Sequence, residues 1–242
     1  MIAGMTKQRT NKPTLGILVC GHSTEKMSAK FGSYANFFEQ LLGSDSFEYK
    51  AFKVVDGDFP HSINDADAWL LTGSKHGAYE PHPWIPPLEN LIREIYAAQL
   101  PMAGICFGHQ IMAQALGGKV EKFDGGWVAG TQRYKFSAET GASDALLNAW
   151  HQDQVVEKPA DATVIGSSDN CEFAALSYRS NTVSLQPHPE FNNDHVTMLL
   201  AERGGSLPSH SYQIAEASLG QKLHNNLIAN WLVQVLSGQR AA

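Results

Sequence analysis

The stretch Met102-Ala103-Gly104-Ile105-Cys106-Phe107-Gly108-His109-Gln110 constrains this chain most, because a short apolar run passes straight into a helical pattern through Gly-x-Cys-x-Gly. A strand-to-helix turn of this kind holds its central residue in a strained backbone conformation at the carboxyl edge of a sheet, and small neighbours are needed where strand and helix approach closely. Gly104 and Gly108 meet that need. A helix opening near Phe107 directs unpaired N–H groups and its positive dipole end at the sulfur, which favours thiolate over thiol. Cys106 is thereby a candidate nucleophile. An isolated cysteine in an apolar run is as readily a buried structural residue, and without a partner histidine the local physics leaves both readings open.

Around this turn the first half of the chain alternates short apolar runs with helical stripes. Residues 14–20 and 68–72 are compact, glycine-bounded and apolar, as fully buried parallel strands are, and a further strand is expected over 47–54. Helical spacing runs over 33–43 and 83–99, with Pro86 and Pro87 placed for a first turn. Past Gly117-Gly118 the pattern changes to short β-like pieces at 119–123, 127–136, 163–167, 172–178 and 182–186. Helical patterns return at 194–202 and 221–236. The fold class expected is α/β, an open, mostly parallel sheet flanked by helices, with antiparallel pieces added in the second half. Residues 1–13 read as a flexible terminus and 14–242 as one domain, with a helical extension from about 203.

Composition narrows the partners. With 18 basic and 24 acidic residues the net charge is −6 and no basic run stands out, so neither a nucleic-acid footprint nor a polybasic membrane patch is expected. No signal-peptide-like or membrane-spanning apolar stretch is seen. Three scattered cysteines do not make a disulfide framework or a zinc ribbon, which fits a reducing cytoplasm. Cys20 and Cys171 read as buried hydrophobes; the single loop histidines His22, His61, His76 and His82 could line the ligand edge of the sheet, although such residues are more often solvated, and Lys75, His76 and Tyr79 sit where substrate contacts can be made.

Gln186-Pro187-His188-Pro189-Glu190 follows an expected strand, so His188 and Glu190 should overhang the same carboxyl edge as Cys106, where open α/β sheets place ligands. An imidazole there can exchange the thiol proton, and a carboxylate two residues on can fix its tautomer. By itself His-x-Glu is equally a solvated turn or part of a metal site, although no His-x-x-x-His or His-Glu-x-x-His pairing supplies further ligands.

Taken together, Thr72-Gly73-Ser74, the Cys106 turn and the 186–190 segment resemble, in order and spacing, the class I (triad-type) glutamine amidotransferase family. The resemblance implies a flavodoxin-like fold and a Cys106-His188-Glu190 triad that releases ammonia from the side-chain amide of glutamine. It implies an oxyanion site made by the Phe107 N–H with a second donor from Gly73 and Ser74, and a substrate contact from Gln110. His109 is expected to pack as a structural partner of the turn. Trp150-His151-Gln152-Asp153-Gln154 resembles the family's Ser-His-Gly-Asp substrate loop, making His151, Gln152 and Asp153 candidate substrate contacts, with Gln152 standing where that loop has glycine.

No cofactor or metal is expected. No synthetase domain fits in the remaining residues, so ammonia from glutamine would pass to a separate synthetase subunit, as the glutaminase domain of GMP synthase passes it to its own partner domain. The layout is also similar to stand-alone γ-glutamyl peptidases, which apply the same acyl-enzyme chemistry to glutathione-like γ-glutamyl compounds. A non-catalytic regulatory protein on the same fold is the reading from another class.

Overall fold

The computed structural model describes residues 12–239. The terminus expected to be flexible, residues 1–13, lies outside the described residues except for Lys12 and Pro13. In chain order the elements are β1 (Thr14–Leu18), α1 (Glu25–Phe31), α2 (Tyr34–Leu42), β2 (Glu48–Phe52), β3 (Ala68–Leu71), α3 (Ile85–Ala97), β4 (Met102–Ile105) and α4 (Phe107–Ala115). There follow β5 (Lys119–Lys122), β6 (Val128–Phe136), β7 (Asp144–His151), β8 (Asp153–Glu157), β9 (Thr163–Ser168), β10 (Cys171–Arg179) and β11 (Thr182–Leu185), then α5 (Asn193–Arg203), α6 (Ser209–Ser218) and α7 (Asn225–Leu236).

One nine-stranded sheet runs in the order β2-β1-β3-β4-β11-β10-β9-β6-β7, and β5 pairs with β8 in a two-stranded sheet. Strands β2, β1, β3, β4 and β11 pair parallel, whereas β10, β9, β6 and β7 continue the sheet antiparallel. This is the α/β architecture expected, with the antiparallel half joined to the parallel one through β11. Alternation along the buried strands sends residues to opposite faces. Leu15, Ile17, Leu70, Ala103 and Ile105 join the side chains of α2 and α7 in one core, while Leu18, Trp69, Leu71 and Met102 join those of α3 and α4 in another.

Four elements escape the periodicity of the sequence, among them β8, which forms by pairing with β5. Helix α1 lies between the expected strand at 14–20 and the expected helix at 33–43, and its signals are local: Thr24 caps the Met27 amide and Glu25 and Lys30 suit the dipole at either end. Strand β7, Asp-Ala-Leu-Leu-Asn-Ala-Trp-His, has no β-branched residue and forms because it pairs along its whole length with β6. Helix α6 buries only Ala215 and lies on β6, where Gly130 at φ +81° leaves room for Ala215 and Ser218, and the Ser218 hydroxyl accepts from the Thr131 amide at 2.8 Å. Helix α7 begins at Asn225, so Leu223 precedes it, and Leu227 is exposed; Ile228, Trp231, Leu232 and Val235 make its core face.

Helix α4 packs tightly on β3 and β4. A Cβ on Gly108 would stand 2.4 Å from the Leu71 carbonyl oxygen, and one on Gly104 would stand 2.5 Å from the Gly108 carbonyl. Gly108→Ala is therefore expected to lower stability by roughly 1–3 kcal/mol in urea unfolding. Gly205→Ala, where the added methyl meets nothing within 4 Å, is expected to stay within about 0.5 kcal/mol of the parent.

Candidate active site

Cys106 sits between β4 and α4 with φ +55° and ψ −105°, one of two non-glycine residues with positive φ among those described. Its amide donates to the Leu185 carbonyl at 2.8 Å, and the Gly108 amide donates to the Thr72 carbonyl at 3.1 Å, which tie the turn to β11 and to the end of β3. Because β11 pairs parallel with β4, Leu185 opposite Ile105, the segment after β11 leaves the sheet beside the cysteine.

That segment carries His188 and Glu190. The His188 Nδ1 lies 2.6 Å from a Glu190 carboxylate oxygen, with both side chains buried. With Nδ1 engaged by Glu190, the charge of Cys106 also acts on the His188 ring. The His188 amide donates to the Asn148 carbonyl at 2.8 Å, and its ring stacks on Phe191 at 4.1 Å and 4°. The Phe191 carbonyl is itself held by the side-chain amides of Asn148 and Asn225. Burial opposes the imidazolium, but the charges of Glu190 and Cys106 and the Glu190 hydrogen bond outweigh it, raising the His188 pKa from 6.5 to about 10. His109 and His151 show the opposite case. Burial lowers each to about 3, and at His151 the His188 charge adds to that effect.

The other expected residues fall around a cavity of about 280 Å³ lined by Cys106, His188, Ser74, Gln110, Gln152 and Asp153, with His151 also on its wall. Gly73 backs onto the site: a Cβ there would lie 3.2 Å from His188 Cε1 and 3.9 Å from Cys106 Cβ. The Phe107 side chain is buried against Trp84, so only its backbone faces the chemistry, and its amide, first in α4, has no partner within the helix. Gln110 donates through Nε2 to the Asp153 carbonyl at 2.8 Å and to Gln186 Oε1 at 3.0 Å. Burial raises the Asp153 carboxyl above its ordinary value. Gln152 makes the corner between β7 and β8, its carbonyl accepting from the Phe123 amide at 3.1 Å. Both nitrogens of His151 are buried without a hydrogen-bond partner among the described residues. His109 bonds the Ser184 hydroxyl at 2.7 Å, in the packing role expected of it.

Sequence reasoning missed Tyr34, Trp127, Trp150 and Arg203 on the cavity wall. Tyr34 follows the Ser33 capping box of α2 and reads as one more apolar position in a helical stripe. Trp150 reads in the sequence as the start of a loop, whereas it belongs to β7.

Residues 49–202 match the family model described as glutamine amidotransferase class-I. The chain belongs to the class-I glutamine amidotransferase family. Gamma-glutamyl peptidase 4 of Arabidopsis thaliana is 32% identical over 204 residues, covering 78% of this chain and 81% of that protein. A glutamine-hydrolysing GMP synthase of Azoarcus sp. (strain BH72) is 34% identical over 134 residues, 50% of this chain but 25% of the synthase. The fold of this amidotransferase-family chain is also that of a glutamine amidotransferase from Thermotoga maritima, with a TM-score of 0.75 at 18% identity over 96% of this chain and 99% of that one.

The His188–Glu190 pair makes stability depend on pH with a definite sign. A folded-state pKa raised from 6.5 to about 10 contributes stability that is complete below about pH 6.5 and is lost as pH rises through 10. Glu190→Gln should lower the His188 titration, read from its ring-proton NMR resonance, and flatten the loss of unfolding free energy across that interval. An unchanged titration would show that the carboxylate does not set the imidazole's charge.

Proposed function

We propose that this chain hydrolyses γ-glutamyl amide bonds through a γ-glutamyl thioester on Cys106, with peptides of the glutathione type as its substrates. The observation that carries the reading is the meeting of a positive-φ cysteine at a helix start with a buried, mutually bonded imidazole and carboxylate. Cys106 Sγ attacks the γ-carbonyl, and the resulting oxyanion is met by the Phe107 N–H and by the backbone of the Gly73-Ser74 loop. His188 gives a proton to the departing amine and then takes one from the water that opens the thioester. Glu190 holds Nδ1, fixing the tautomer and supporting the imidazolium that precedes amine departure and returns when water is activated.

At the α-carbon end, the Gln110 carbonyl oxygen and the Asp153 carboxylate are acceptors for a substrate ammonium. Gln110 is poised for this because its nitrogen is already committed to Asp153 and Gln186. The choice of a peptide substrate is supported by the similarity to γ-glutamyl peptidase 4 along 81% of that protein, and by a cavity that reaches past the thiol to Trp127, Trp150 and Arg203. Ammonia needs no such room. Glutamine as substrate, with ammonia passed to a separate synthetase subunit, is the second reading, favoured by the similarity to the GMP synthase.

Glutamate release from γ-glutamyl dipeptides and glutathione, set against ammonia release from glutamine, separates the two. Peptide turnover should exceed glutamine turnover, and Cys106→Ala should reduce whichever is present by roughly 10⁴-fold or more with the fold retained. A γ-glutamyl chloromethylketone should label Cys106 alone, because burial pushes the thiol of Cys171 up to about 12 and that of Cys20 higher still. Turnover that survives Cys106→Ala, or equal labelling of all three cysteines, would remove the proposal.

A further inference from the structure

A second cluster of chemistry-bearing side chains stands at the mouth of the same cavity and takes no part in the thioester scheme. His76, Glu80 and His82 lie on the loop between β3 and α3, each half-buried, and one ligand atom from each falls within 4.8 Å of the other two. Both imidazoles converge on a single carboxylate oxygen: Glu80 Oε2 is 2.7 Å from His82 Nε2 and 3.5 Å from His76 Nδ1. The spacing, His-x3-Glu-x-His, is that of a turn, so the helical signatures sought in the sequence pass over it.

The loop is built to hold those atoms together. Pro81 and Pro83 flank His82 and restrict its backbone. The Glu80 amide donates to the Gly77 carbonyl at 3.1 Å, the His82 amide to the Glu80 carbonyl at 2.8 Å, and the Ile85 amide to the His82 carbonyl at 3.1 Å. The His82 ring stacks on buried Trp84 at 17°, and His76 meets the same indole edge-on at 5.9 Å. The two imidazoles therefore sit with centroids 4.2 Å apart against one rigid aromatic wall. Protonating both would set two positive rings in contact over one carboxylate. A single dication answers the same geometry better, since neutral imidazoles and a carboxylate are its ordinary ligands.

We propose that His76, Glu80 and His82 form a binding site for a divalent first-row transition metal of the zinc class. Two imidazoles and one carboxylate are a donor set that such ions accept in four-coordinate sites with one position open. Donors around a tetrahedral zinc ion stand roughly 3.3 Å apart, given bonds of about 2.0–2.1 Å, and the distances to Glu80 bracket that value. His76 and Glu80 line the cavity that contains Cys106, so the ion stands at its entrance and its fourth position is open to water or to a donor atom of a cavity ligand.

The test uses Zn²⁺ on the full chain carrying Cys106→Ala, so that the thiol is not a competing ligand and the outcome does not depend on catalysis. Calorimetric titration should give saturable binding of about one ion per chain, and Co²⁺ should give the visible absorption of a four-coordinate, nitrogen-ligated ion. His76→Ala, His82→Ala and the isosteric Glu80→Gln should each weaken Zn²⁺ binding by about tenfold or more. Lys75→Ala, beside the cluster, should leave it unchanged. Absence of saturable binding, or affinity that survives all three ligand changes in chains shown to be folded by circular dichroism, would overturn the site.

Discussion

The backbone of Cys106, forced to φ +55° between a buried strand and a helix, is the constraint on which the rest of the site depends. A non-glycine residue held there costs of order 1–3 kcal/mol, and it persists only where the surroundings over-determine it. Here the Cys106 amide is pinned to Leu185, the Gly108 amide to Thr72, and two glycines remove the atoms that would drive α4 away from β3 and β4. The sheet order follows from the same demand. With β4 between β3 and β11, the turn meets the Gly73 loop on one side and the His188 segment on the other.

Placing the imidazole is only half of what the fold does; it also sets which of the buried histidines His109, His151, His188 and His195 carries charge, His195 too being lowered by burial, to about 4. His109, His151 and His188 are all withdrawn from water, which by itself favours the neutral ring. His109 and His151 have no carboxylate partner and stay neutral, with pKa values near 3. His188 alone has one, and the Cys106 sulfur beside it, and is raised instead. Positive charge is thus confined to the ring that can reach the sulfur, and the stack through Phe191 onto His195 keeps that ring in plane.

The parts of this arrangement that could be read in the sequence are those with local causes. Gly104, Gly108 and the apolar runs of β1, β3 and β4 announce a buried parallel sheet and its turn, and Pro187 and Pro189 mark the segment bearing His188. What could not be read depends on pairing across long separations. Asn148 anchors the His188 amide and the Phe191 carbonyl, yet it lies on β7, whose Ala, Leu and Asn residues carry no strand signal until β6 is alongside. Tyr34 and Arg203 reach the cavity from α2 and α5, helices whose stripes show only that one face is buried. The convergence of His76 and His82 on Glu80 needs a loop folded against Trp84, which no periodicity encodes.

Under the proposed hydrolysis, cavity and rim together hold one covalent centre and a wider approach than ammonia release requires. The proposed hydrolysis takes substrate through a thioester of the Cys106 sulfur. Rapid-quench mass spectrometry of the wild-type chain during turnover of a γ-glutamyl dipeptide tests this most directly. A γ-glutamyl adduct should appear on the peptide containing Cys106 and decay as glutamate accumulates; glutamate accumulating with no adduct there, or with one on another residue, would contradict it.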